Sequence, residues 1–324
     1  MKAILCEAYG PPDTLTLADI PSPEPGPGQV LMQVKACSLN FPDTLTIRNL
    51  YQFKPPLPFS PGSESSGVVT RVGEGVTHIN PGDRVFAYGT HGGLAEERVS
   101  DASTVIPIPD GMDFIMGAST LYAYGTSYHA LKDRGQLKAG ETLLVLGAAG
   151  GVGLATVELG KLMGATVIAA ASTDEKLAVC GQKGATHLIN YSTEDLRERL
   201  KDITQGRGVD VVYDPVGDQW AEPAIRSLSW QGRYLIVGFA GGTIPKISLN
   251  LALLKGCSLV GVFWGMFTQK EPALNQQNLQ TIATWALQGK IAPHISRQYS
   301  LAEAPQALND MMERRVIGKA VVVL

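Results

Sequence analysis

From Thr142 onward the chain alternates short, almost wholly apolar runs with segments of helical length, and this rhythm restricts the fold more than any other feature. The apolar runs are Thr142–Gly147, Thr166–Ala171, His187–Tyr191, Val209–Asp214, Gly232–Gly238 and Cys257–Val262. Strands that are apolar on both faces belong in a parallel sheet covered by helices on each side. The intervening segments 150–164, 174–184 and 194–206 each end at a glycine, the residue that tolerates the left-handed conformation closing a helix. A further helical segment covers 219–229, and the six strands predict a doubly wound nucleotide-binding sheet.

The first of these strands runs into the sequence AAGGVG, Ala148 to Gly153. Gly150 and Gly153 take the second and third glycine positions of the pattern G-x-G-x-x-G, which let a pyrophosphate approach the backbone and a helix pack close to its strand. Ala148 stands where the turn glycine belongs, a place for a small side chain if φ stays negative. Backbone N–H groups and the positive end of the helix dipole favour an anion here, so Ala149, Gly150, Gly151, Val152 and Gly153 are candidate phosphate contacts. Turns of this composition also occur without a ligand.

The second strand ends in Ser172 and Thr173, with Lys176 one helical turn later, where enzymes using NAD carry a carboxylate for the ribose 2′-hydroxyl. Hydroxyls and a cation suit a 2′-phosphate, and Tyr191, at the end of the third strand, adds another hydroxyl. Ser172 and Thr173 also read as the cap of the helix starting at Asp174. Asp174 is itself a carboxylate that keeps NAD open as an alternative. The expected cofactor is NADPH.

The first third of the chain has a different grammar. Runs rich in proline and glycine, at 21–28, 55–62 and 81–83, separate the β-branched segments 29–36, 67–72 and 84–88, which predicts a barrel-like β domain. Residues 112–135 have helical content, and the tail adds helices over 271–289 and 302–315 and a last strand over 319–324. The tail is expected to return to the first domain. With 324 residues the chain accommodates two domains, and a net charge of -3 gives no global field for nucleic acid or an anionic membrane. Four single cysteines and no run of about eighteen apolar residues point to a cytoplasmic protein without disulfides or a membrane span.

Taken together, the segments 38–51, 61–69, 75–89, 92–99, 146–153, the set Ser172, Lys176 and Tyr191, 214–217 and 314–324 resemble the zinc-independent medium-chain dehydrogenases/reductases. The resemblance is to their NADPH:quinone oxidoreductase, or zeta-crystallin-like, branch, and it runs over essentially the whole chain in the family's order. It implies an α/β protein with a GroES-like β-barrel catalytic domain over 1–123 and 265–324 and a Rossmann domain over 124–264. Zinc-dependent relatives carry a Cys where Asn40 stands and a His where Ser63 stands, so no metal is expected. By the same resemblance Asn40 and Asp43 form the family's turn beside the reacting groups, and Tyr51 is a proton donor next to the substrate. Thr126, Phe239, Phe263, Trp264 and Gly265 would line the cofactor, and Arg314 would approach its 2′-phosphate or the cleft mouth. Five of these have a plainer alternative. Asn40 suits an Asx turn before Pro42, Tyr51 a loop aromatic, Phe239 and Trp264 the core, and Arg314 a solvated charge.

Without a Lewis acid, the accessible chemistry is reduction of a conjugated acceptor by NADPH, in which charge delocalises onto an oxygen that hydrogen-bond donors stabilise. Quinones are the first expectation. The alternatives are 2-alkenals or enoyl thioesters, and, in another class, a non-catalytic NADPH-binding protein of the crystallin or RNA-binding kind. A homodimer joined through residues 257–263 is expected from the family's habit.

Overall fold

The computed structural model describes all 324 residues, which form two compact units, Met1–Tyr122 with Ala292–Leu324, and Ala123–Ile291. In chain order the first unit begins with β1 (Lys2–Leu5) and β2 (Thr16–Asp19), an antiparallel pair. It continues with β3 (Gln29–Ser38), α1 (Phe41–Thr46), β4 (Glu64–Val72), β5 (Arg84–Tyr88), β6 (Glu97–Asp101) and β7 (Val105–Pro107). The ten-residue β3 is the hub: it pairs with β4 along its length and with β6 through Gln29–Gln33. Helix α2 (Phe114–Tyr128) then leads out of the unit.

The second unit holds β8 (Thr142–Leu146), β9 (Thr166–Ala171), β10 (His187–Asn190), β11 (Val209–Asp214), β12 (Leu228–Ile236) and β13 (Ser258–Gly261). All six pair in parallel in the order β10-β9-β8-β11-β12-β13. Helices α3 (Gly151–Leu162), α4 (Asp174–Lys183), α5 (Leu196–Ile203), α6 (Ala221–Arg226) and α7 (Asn250–Lys255) connect them. The expected doubly wound sheet is therefore present, and its central strands are apolar because both faces are covered. Leu144, Leu146, Ile168, Ala170 and Val212 are fully buried in one core cluster with Leu200 and Ala224 from the helices. The strand order reverses between β8 and β11, and the crevice beyond their carboxyl ends is the usual ligand position in such sheets.

Two further helices follow, α8 (Trp264–Lys270) and α9 (Pro272–Leu287), and they correct the expected domain boundary at residue 265. Both belong to the second unit, which runs to Ile291. Lys132 Nζ donates to Asn278 Oδ1 at 2.7 Å, and Asn278 Nδ2 donates to Asp133 Oδ2 at 2.7 Å. The His129 and Phe267 rings stack with centroids 3.8 Å apart, and Trp285 meets Tyr128 edge-on at 5.3 Å. These contacts lie between segments distant in sequence, so a reading based on local rhythm assigns α8 and α9 to the tail.

The chain returns to the first unit through β14 (Ile295–Ser300), α10 (Ala304–Met312) and β15 (Lys319–Val323). Strand β15 adds antiparallel to Ala36–Ser38 of β3, and β14 adds parallel to β15, completing a seven-stranded sheet. No helix is long and apolar enough to cross a membrane. The cysteines are unpaired: Cys6, Cys37 and Cys180 are buried and Cys257 is half-buried.

Candidate functional site

The glycine-rich turn between β8 and α3 departs from expectation in one respect. The left-handed residue is Gly147, with φ of 56°, one position before the alanine that replaces the motif's first glycine. Ala148 keeps a negative φ and is fully buried, with its N–H donated to Ala170 O at 3.1 Å. Gly153 does what the third motif glycine is expected to do. A Cβ there would lie 2.4 Å from Gly147 O and 2.8 Å from the Ala148 backbone, so only hydrogen lets α3 sit this close to β8. A Cβ on Gly150 would meet only Gly147 O, at 3.5 Å, so the protein's own packing does not demand glycine there. Gly150 is the exposed N-cap of α3, no side chain caps this end, and Gly151 and Val152 beside it are half-buried. Ala149 is buried beneath the turn. The helix therefore presents its N–H groups and positive dipole end toward an incoming anion.

At the end of β9, Lys176 Nζ donates to Ser172 Oγ at 3.2 Å, bringing the expected cation and hydroxyl together. Thr173 takes the capping role instead, its Oγ1 accepting the Lys176 N–H at 3.3 Å. Tyr191 is half-buried just past β10, and its ring lies 4.4 Å from that of Trp220. The ends of β9 and β10 are joined by Ser192 Oγ, which donates to Ser172 O at 2.9 Å. A half-buried polar platform with one ammonium and several hydroxyls results.

The remaining expected cofactor residues divide. Thr126 and Gly265 are half-buried, whereas Phe239 and Phe263 are exposed aromatics of the second unit. Trp264 is a correction: it is 4% exposed, its ring lies against Gly125, and Nε1 donates to Asn275 Oδ1 at 3.2 Å, so it is core. Arg314 is exposed on left-handed backbone after α10 and belongs to the first unit, not to the one carrying the glycine turn.

In the first unit, Asn40 caps α1, and its backbone N–H donates to Asp43 Oδ2 at 2.7 Å. Its side chain is wholly committed to the interior. Nδ2 donates to Glu64 Oε1 at 2.9 Å and to Ser63 Oγ at 3.3 Å, while Oδ1 accepts from Lys319 Nζ at 2.7 Å. The same ammonium pairs with Glu64 Oε1. With Asn40 only 7% exposed and both amide hydrogens used, the expected catalytic asparagine is better described as a positioning residue. Asp43, also buried, is raised to about 6 by burial, the Asn40 N–H and Ser63 hydrogen bonds opposing the shift. Burial likewise raises Glu64, against the opposing pull of Lys319. Arg98, whose Nη1 donates to Ser65 Oγ at 2.9 Å, is the second buried cation near these carboxylates, lowered to about 10 by burial.

These residues do not fit zinc, which takes thiolate, imidazole and carboxylate ligands. Asn40 and Ser63 supply an amide and a hydroxyl, and the Lys319 ammonium already holds the space between Asn40 Oδ1 and Glu64. Cys37 is fully buried, and burial holds its thiol well above the ordinary value, so it is no ready thiolate ligand. No group of three or more His, Cys, Asp or Glu side chains is arranged to hold a metal ion.

Tyr51 is half-buried in the loop after α1, edge-on to Phe53 at 6.0 Å, and its phenol is hydrogen-bonded to that of Tyr122. Burial first, and then the Asp43 carboxylate, push its phenol above the ordinary value, so Tyr51 remains protonated at neutral pH.

Residues 26–110 match the alcohol dehydrogenase GroES-like domain, and residues 151–280 match the zinc-binding dehydrogenase family. A quinone oxidoreductase-like protein 2 homologue of Nematostella vectensis is 38% identical, over 99% of this chain and 88% of the relative. The chain belongs to the quinone oxidoreductase family. Within this family of medium-chain dehydrogenases/reductases, the quinone oxidoreductase of Rattus norvegicus is 33% identical over 100% of this chain and 98% of its own length. The crystal structure of Escherichia coli quinone oxidoreductase complexed with NADPH matches at a TM-score of 0.95 and 28% identity, with each chain fully covered.

Sequence reasoning missed Lys319 and Tyr122. A lysine opening the otherwise apolar strand KAVVVL was a usable signal for a buried, paired charge, whereas nothing local marks Tyr122 as a partner of Tyr51. Breaking a buried ion pair by removing one partner costs about 3–5 kcal/mol. Lys319→Met is therefore expected to lower the urea-unfolding free energy by about that much. Adding Glu64→Gln should recover a large part of the loss, because no buried charge is then left alone. Additive effects of the two substitutions would show that the pair is energetically silent.

Proposed function

We propose that this protein is an NADPH-dependent, zinc-independent reductase of conjugated acceptors, with quinones as the first substrate class. The observation that carries the reading is the polar end of β9, where Lys176 and Ser172 meet in place of a diol-binding carboxylate. The exposed N-terminus of α3, with Gly147 turning the chain and Gly153 admitting the helix, supports pyrophosphate binding by residues 149–153. In this reading Ser172, Lys176 and Tyr191 hold the 2′-phosphate, and Thr126, Phe239, Phe263 and Gly265 border the cofactor. Thr173 contributes by fixing the start of α4.

When bound, NADPH supplies the hydride. The chain's own part is to orient the acceptor and deliver the accompanying proton. Tyr51 donates that proton from its O–H; burial and the Asp43 carboxylate keep it protonated, and Tyr122 is its hydrogen-bond partner. Asn40, locked by Glu64, Ser63 and Lys319, fixes the turn that carries Asp43 and α1. The Tyr51–Tyr122 pair also favours a second reading, reduction of 2-alkenals or enoyl thioesters, where a proton must reach the α-carbon. The four unpaired cysteines support action in the cytoplasm.

A homodimer belongs to the same proposal. Strand β13 is an edge strand with β12 as its one hydrogen-bonded neighbour, and Leu249, Leu253 and Leu254 near it are 71–79% exposed. Sedimentation should give twice the chain mass, and a monomer at micromolar concentration would refute the dimer.

Two substitutions test the chemistry. Lys176→Ala should weaken NADPH about ten-fold or more, the scale of a charge-assisted hydrogen bond, and NADH less than about two-fold. Equal losses would remove Lys176 from the phosphate site. Tyr51→Phe should lower kcat on 2-alkenals by about 100-fold, the lower range for a positioned general acid, with a smaller effect on quinones. Unchanged turnover on every enone would take Tyr51 out of the mechanism.

A further inference from the structure

Asp174, followed by Glu175, is the first residue after the end of β9 whose charge opposes a 2′-phosphate. It is the first residue of α4, two positions beyond Ser172 and two before Lys176, and it is exposed. A free carboxylate there would repel a phosphate and would accept a hydrogen bond from a 2′-hydroxyl, favouring the cofactor that lacks the phosphate. The carboxylate is not free: Asn190 Nδ2 donates to Asp174 Oδ1 at 2.7 Å.

The clamp is itself held rigidly. Asn190 is the last residue of β10 and only 8% exposed. Its Oδ1 accepts the Ser192 N–H at 3.1 Å, and its own backbone N–H donates to Glu194 Oε2 at 2.8 Å. An N–H on one side of the amide and a carboxylate on the other leave a single orientation, with Nδ2 facing Asp174. Ser192, which takes part in this turn, also ties β10 to Ser172 O, so the amide and the β9 end are linked through one residue. Lys176 Nζ meanwhile lies on Ser172 Oγ. The carboxylate and the ammonium of one helical turn are thus drawn to different partners.

We propose that Asn190 is a specificity-determining residue that holds Asp174 on the β10 side and so leaves the Ser172–Lys176 platform to the 2′-phosphate. The proposal rests on the NADPH reading above. Asn190 touches neither reacting atom; it acts through Asp174, and its effect is on the choice between phosphorylated and unphosphorylated ribose.

The test is a binding titration that needs no acceptor. All four tryptophans, Trp220, Trp230, Trp264 and Trp285, lie in the second unit, and Trp220 lies against Tyr191 at the platform. Their fluorescence is followed while NADPH or NADH is added to the full-length protein at low, fixed ionic strength. Asn190→Ala is expected to reduce the NADPH-over-NADH preference about ten-fold, the scale of one charge-assisted contact. Asp174→Ala alone should leave the preference within about two-fold of the unsubstituted protein, because the carboxylate is already engaged. Asp174→Ala added to Asn190→Ala should restore the preference, which a merely disturbed turn would not do. The proposal is overturned if Asn190→Ala leaves the preference unchanged, if the double variant stays as poor as Asn190→Ala, or if Asp174→Ala alone raises it ten-fold. An unsubstituted protein that binds both cofactors equally would instead refute the NADPH reading, and this inference with it.

Discussion

A charged group inside a protein is tolerable only when opposite charge and hydrogen bonds replace the water it has lost. In the first unit that condition is met by the Lys319 ammonium, which joins Glu64 on β4 to Asn40 at the start of α1. The lysine opens β15, so the contact links the last strand of the chain to the hub strand's neighbours and to the turn before α1. Asn40 then has no rotational freedom to spare, and through its N–H it fixes Asp43. The position of Tyr51, a few residues beyond α1, depends on this turn. One buried ion pair therefore connects the closure of a sheet to the geometry of the proposed proton donor.

In the proposed metal-free reading, the same cluster takes the place that a metal would hold. Two aligned ligand positions hold Asn40 and Ser63, and they still converge, with Asn40 Nδ2 donating to Ser63 Oγ. What has changed is the charge at the centre. An ammonium carried by the chain occupies the gap, and its hydrogen bonds go to protein groups, so it orders the site without polarising a substrate oxygen directly. Chemistry in such a site depends on an acceptor that can delocalise incoming electrons, the property shared by quinones and enones.

The nucleotide-binding sheet was highly legible because its signal is local. Thr166–Ala171 and Val209–Asp214 are strands over the same residues that the apolar runs indicate. The glycine turn was legible in kind but displaced by one residue, since a missing motif glycine does not reveal that Gly147 takes the left-handed conformation. Helices α8 and α9 were assigned to the wrong unit because their partners, Tyr128, Lys132 and Asp133, lie some 145–157 residues earlier. Asn40 and Trp264 illustrate a similar limit. Family resemblance marks their positions, but the partners that consume their polar groups, Lys319, Glu64 and Asn275, are found only in three dimensions.

The four cysteines acquire a meaning from the proposed substrates. Quinones and enals are electrophiles that alkylate proteins at sulfur, and the attacking species is the thiolate. Cys6, Cys37 and Cys180 are buried, Cys257 is half-buried, and burial raises the pKa of all four, that of Cys180 to about 12. At neutral pH the sulfurs stay protonated, and three of them lie out of contact with solvent. A reductase built this way handles thiol-reactive molecules while offering them almost no nucleophile of its own.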